Sequence, residues 1–81
     1  MSVAQGVRDF ILQNFLFTED QSAIADDDSF LAKGIVDSTG MLEIIHFLED
    51  EYGITIEEQE MVPENLDSVN NIVAFVTRKT P

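Results

Sequence analysis

Residues 34–43 read Gly34-Ile35-Val36-Asp37-Ser38-Thr39-Gly40-Met41-Leu42-Glu43, and they set where the central helix begins. Asp37 is a strong N-cap residue, because its carboxylate can take a free amide of the first helical turn. Val36 and Met41 then fall at the two positions of a hydrophobic staple, which fixes the angle at which the chain enters. With Asp37 doing the capping, Ser38 becomes the first helical residue. Its hydroxyl is left over and faces solvent beside the positive end of the helix dipole, a setting that favours an attached anionic group. These residues alone leave three readings open: an ordinary turn serine, a kinase-type phosphoserine, or a serine that bears a phosphodiester.

Downstream, Met41, Ile44, Ile45, Leu48 and Tyr52 share one face, so the spacing predicts a helix over 38–52. Gly53 follows where a left-handed C-terminal cap is expected. Upstream, Val3, Val7, Ile11 and Phe15 recur at four-residue steps and predict a helix from Ser2, as N-cap, to Phe15, weakened at Gly6. Val69, Ile72, Val73 and Val76 predict a third helix over 68–78, capped by Asp67, with Arg78 and Lys79 at its negative end. About twenty residues between the first two helices show no clear period. A loop of that length needs anchors, and Phe17, Ile24, Phe30, Leu31, Ile35 and Val36 are the candidates, with room for a short helical turn. Ile54-Thr55-Ile56 reads as extended but is too short for a sheet. Residues 57–66 read as a short irregular helix broken near Pro63. The expected fold is all-α: a small bundle of three main helices plus one short irregular helix, with a long loop after the first helix.

Eighty-one residues fit a single domain, 1–81, barely long enough for a core and too small for a core plus a formed catalytic cleft. Sixteen Asp and Glu against four Lys and Arg give a formal net charge of −12. That balance argues against nucleic acid and anionic membranes and favours a basic protein partner. Cysteine is absent, which excludes a disulfide framework or thiolate zinc site and suits a reducing, cytoplasmic setting. The N-terminus shows no secretory pattern, and no apolar run reaches the ~18 residues that span a bilayer.

Catalytic and metal constellations fail on inspection. His46, the one histidine, lies about two turns from Ser38 and has neither co-ligands nor a nucleophile in reach. Asp26-Asp27-Asp28 lacks the glycine and terminal glutamate of a calcium loop, since Leu31 and Asp37 stand at those positions. A standalone enzyme is therefore not expected.

The wider pattern resembles the acyl carrier protein family, in which a Gly-x-x-Asp-Ser motif opens the second helix and the serine bears 4′-phosphopantetheine. The match runs from Asp28-Ser29-Phe30 through the motif to Glu43, the acidic cluster Glu49-Asp50-Glu51, Tyr52 and Gly53-Ile54-Thr55-Ile56. The commonest fatty-acid carriers have Leu after the serine; Asp-Ser-Thr-Gly looks more like D-alanyl, aminoacyl and other specialised carriers. The resemblance implies phosphopantetheine on Ser38, with Asp37 as motif residue and helix cap. It marks Thr39, Leu42, Glu43, His46, Glu49 and Asp50 as the face read by partners. Those partners would be a phosphopantetheinyl transferase, an acyl- or aminoacyl-loading ligase and downstream acyl-processing enzymes with basic patches. The role so implied is that of a monomeric, non-catalytic carrier of thioesters in fatty acid, polyketide or specialised acyl or aminoacyl metabolism. The alternative is a small acidic helical interaction module without a prosthetic group.

Overall fold

A computed structural model describes residues 2–80. Among the described residues four α-helices follow one another, α1 (Val3–Ile11), α2 (Ser38–Tyr52), α3 (Pro63–Leu66) and α4 (Val69–Lys79), and there is no strand. The all-α bundle expected from periodicity is present. α1 and α3 both pack on α4, and Ile44, Ile45 and Leu48 of α2 enter the same core as Val7, Ile11, Ile72, Phe75 and Val76.

Several boundaries differ from the expected ones. Ser2 caps α1 as predicted, its hydroxyl accepting the Gln5 amide at 3.1 Å. α1 then ends at Ile11 and continues as a π-helical turn, Leu12–Leu16. Phe17 closes that turn in the left-handed region (φ 54°), and its amide donates to the Leu12 carbonyl. Pro63 does not break a helix; as the first residue of α3 it starts one, where its missing N–H costs nothing. The irregular stretch before it is a single 3-10 turn, Glu58–Glu60. Ile54 and Ile56 are buried on either side of exposed Thr55, so that linker is extended in effect although it pairs with no strand.

The cap of α4 is Ser68, not Asp67: the Ser68 hydroxyl accepts the Asn71 amide at 3.1 Å. Asp67 is occupied by the long loop. Its carboxylate accepts from the Ser29 hydroxyl and from the Leu31 amide (2.9 Å), and its carbonyl accepts the Phe30 amide at 2.8 Å. Asn70 adds a bond from its amide to the Asp26 carbonyl at 2.9 Å. Sequence spacing put Asp67 one residue before a serine that does the same job, and a capping rule alone cannot rank two adjacent candidates.

Those bonds are half of the loop's attachment. Ile24, Phe30 and Val36 supply the buried anchors, and a 3-10 turn forms at Gln21–Ala23. Phe17 and Leu31, expected to insert as well, do not: they are 82% and 42% exposed. The other half is Arg8 of α1. Its guanidinium is largely buried, donates to the Gln21 side chain and carbonyl and to the Ile24 carbonyl (2.9 Å), and pairs with Asp26. Removing it leaves loop carbonyls and Asp26 without their donor. Arg8→Ala is expected to cost about 1–3 kcal/mol, read as a lower midpoint in urea with the helical spectrum retained.

Three carboxyl groups sit below the ordinary carboxylate range. Asp20 does so because the Ser22 hydroxyl and amide donate to it, Asp28 because of the Ala25 amide and Lys33, and Glu60 because of Lys79 and the Glu57 amide. A folded-state pKa below the unfolded one favours folding above the unfolded value, and that contribution disappears as pH falls through the folded one. The whole chain, at −12, repels itself at neutral pH. Thermal scans should therefore show added salt raising the melting temperature at pH 7. Stability should also decline once the pH drops below about 4. Insensitivity to salt at pH 7 would remove self-repulsion from this account.

Candidate functional site

The first turn of α2 is set by Asp37. Its Oδ1 accepts the Gly40 amide at 2.7 Å, and its carbonyl takes the Met41 amide at 2.9 Å. Ser38 is the first helical residue, exposed, with the capping role filled by its neighbour. At the other end Gly53 adopts φ 64° and its amide donates to the Glu49 carbonyl, the left-handed cap expected from sequence.

Gly40 is buried, unlike its neighbours in the turn. A Cβ at that position would stand 2.7 Å from Phe15 Cε1 and 3.0 Å from Val36 Cγ1. The Phe15 ring, delivered by the π-turn after α1, therefore lies directly on the helix backbone below Ser38. Only glycine allows that approach. The Thr-Gly pair, which differs from the commoner fatty-acid pattern, is thus explained on its glycine side by packing. Gly40→Ala should destabilise the protein by about 1–3 kcal/mol, because ring and backbone must separate. The same variant should shift amide resonances of residues 37–41 in a nitrogen-proton correlation spectrum.

Ser38, Thr39, Leu42, Glu43, His46 and Asp50 are all exposed. At 100° per residue they fall on the outward side of α2, as predicted. Glu49 is the exception. It is half-buried, and one carboxylate oxygen accepts the Ile56 amide at 2.9 Å, so part of its capacity goes to tying the following linker to α2. Phe47, on the flank of α2 that faces α1, stacks on Phe10 with centroids 4.2 Å apart and meets Tyr52 edge-on. Tyr52 in turn reaches Gly6, where a Cβ would come within 2.8 Å of its hydroxyl oxygen. The glycine that weakens α1 by propensity is the one that admits this tyrosine.

Beside Ser38 opens an apolar groove of about 260 Å³, walled by Met41, Leu42 and Ile45 of α2, by Leu31 of the loop, and by Met61 and Leu66. Leu31, Leu42 and Met61 are 42%, 53% and 40% exposed, three of the four large apolar side chains that reach solvent to this extent among the described residues. Leu31 and Met61 were not singled out as site residues by sequence reasoning. Each stands in an aperiodic segment, and only the fold brings them to the serine. Among the described residues no three metal-binding side chains converge, and no helix is long and apolar enough to cross a membrane.

A family model described as the phosphopantetheine attachment site matches residues 15–76. The chain belongs to the phosphopantetheine carrier family. Among its relatives is a D-alanyl carrier protein of Streptococcus suis, 39% identical over 61 residues, which are 75% of this chain and 76% of the relative. Another of that name, from Streptococcus uberis, is 43% identical over 61 residues, with the same coverage. A third, from Streptococcus thermophilus, is 39% identical over 62 residues, 76% of this chain and 77% of its own. Members of this family hold 4′-phosphopantetheine covalently, and that group is the cofactor of this carrier. Such carriers are generally not catalysts. The geometry fits the group: an exposed hydroxyl at a helix N-terminus can take a phosphodiester, and the apolar groove beside it can shelter part of a flexible chain.

Proposed function

We propose that Ser38 bears the 4′-phosphopantetheine and that this single-domain protein carries an aminoacyl group as its thioester. The observation that carries the reading is the division of labour at the head of α2. Asp37 satisfies the Gly40 amide, so the Ser38 hydroxyl is exposed and uncommitted to capping. The Asp-Ser-Thr-Gly sequence and the D-alanyl carrier relatives favour an aminoacyl cargo over a fatty one.

Loading is the work of a phosphopantetheinyl transferase, for which this protein is substrate. The Ser38 oxygen attacks the phosphorus of coenzyme A that carries the pantetheine. A new P–O bond forms, the pyrophosphate linkage breaks, adenosine 3′,5′-bisphosphate leaves, and the serine proton passes to a base of the transferase. Once attached, the group supplies a terminal thiol on which cargo is held. The carrier's own residues do the rest. The α2 dipole stabilises the phosphodiester. The groove formed by Leu31, Leu42 and Met61 offers an apolar surface to the arm or to an incoming enzyme. Thr39, Glu43, His46 and Asp50, with the free side of Glu49, form the face that a loading ligase with basic residues reads. Coenzyme A and the ATP needed to activate an amino acid are both available in the cytoplasm, which suits that site of action.

Incubation with coenzyme A and a broad-specificity transferase, followed by intact-mass measurement, tests the assignment. Wild type should gain one phosphopantetheine and Ser38→Ala none. A wild-type mass that stays unchanged, or an alanine variant that is still modified, rules out Ser38. For the cargo, a D-alanine-activating ligase with ATP and D-alanine should add one alanyl group to the loaded form, removable by hydroxylamine.

A further inference from the structure

Thr39, Gly40 and Glu43 lie roughly 150° around α2 from the apolar groove. With Phe15, Phe17 and Asp37 they line a second, open cleft of mixed polarity. Phe17 lines it and is 82% exposed, the most exposed large apolar residue described. It is held there by a backbone φ of 54°, a region where a non-glycine residue costs about 1 kcal/mol. Nothing in the core gains from this arrangement, since Phe15 and not Phe17 packs on Gly40.

Asp37 and Glu43 bring two carboxylates to the lining of the cleft, one oxygen of Asp37 being taken by the Gly40 amide. The protein's four Lys and Arg are all engaged elsewhere. Arg8 pairs with Asp26, Lys33 with Asp28 and Lys79 with Glu60, while Arg78 lies over the Phe75 ring and bonds Asn65. An exposed aromatic residue lining one cleft with two carboxylates, each Lys and Arg of the chain being bonded elsewhere, is the setting that a guanidinium with an aliphatic stem fits.

We propose that this cleft receives an arginine side chain of the phosphopantetheinyl transferase, with Phe17 as the ring against which the guanidinium lies and Glu43 as its ion-pair partner. The proposal rests on the reading of Ser38 as the loaded residue. It adds a contact point on the loop side of the serine. Occupancy there leaves the apolar groove on the other side open, so the enzyme can grip the carrier without covering the surface beside which the arm is laid down.

The test is steady-state loading of the apo carrier by the transferase, with coenzyme A saturating and carrier concentration varied. Phe17→Asn keeps a residue that tolerates the left-handed backbone while removing the ring. It should raise KM about 3- to 10-fold with kcat nearly unchanged. Phe17→Trp, which keeps an aromatic face, should restore wild-type KM. Glu43→Gln should raise KM as well, and the Phe17→Asn effect should shrink in the Glu43→Gln background, as expected for two groups holding one ligand. Glu51→Gln, an equal loss of charge at the far end of α2, should leave KM within about twofold, as charge steering alone gives only a small change. A wild-type KM for Phe17→Asn, or an effect that Phe17→Trp shares, overturns the proposal. So does an additive double variant. A wild type that is not loaded at all overturns the Ser38 reading first and this inference with it, and that outcome is told apart by the mass measurement.

Discussion

A helix exposes unpaired amides at its start, and in this protein the way one of them is satisfied organises everything around it. The Gly40 amide bonds to the Asp37 carboxylate at 2.7 Å. If the serine next door filled that role, its oxygen would turn inward and be unavailable to another molecule. Because the aspartate does it, the serine is free. The same glycine must also be bare of a side chain, since the Phe15 ring rests against it. One residue thus ties the capping of α2 to the packing of the segment after α1. The position of Ser38 is held by the body of the fold and not by bonds of its own side chain.

Much of this is legible from residue types. Helix periods, the Ser2 and Asp37 caps and the Gly53 terminus follow from local rules, and local rules decide them because each needs only its near neighbours. The features hidden from the sequence depend on distant partners. Asp67 looks like a cap until Ser29 and Leu31 are seen to claim it. Phe17 looks like a core anchor until the π-turn sends Phe15 inward in its place. Leu31 and Met61 are far apart in the chain and meet at the serine only in three dimensions. The outward face of α2 was readable because a helix carries its own ruler. Glu49 departs from that face because an amide of the next segment captures it.

Charge is divided with similar economy. Cations are few, and each is used to close the structure: Arg8 clamps the loop, Lys33 pairs within it, and Arg78 and Lys79 finish α4. α2 contains no Lys or Arg and four carboxylates. α2 therefore presents negative charge that no cation of its own offsets, and the self-repulsion this brings is opposed by bonds placed elsewhere.

The π-turn at residues 12–16 has a further consequence. Such a turn is a helix with one residue too many, and each residue of helix subtends about 100°. The surplus is taken up inside the turn, where the Phe17 amide still reaches back to the Leu12 carbonyl. Deleting one residue there would let that same bond close an ordinary α-helical turn, so the loop beyond would keep its place while the side chains inside the turn changed direction. The extra residue is thus what lets the end of the first helix lay an aromatic ring on the backbone of the second without disturbing the long connection that follows.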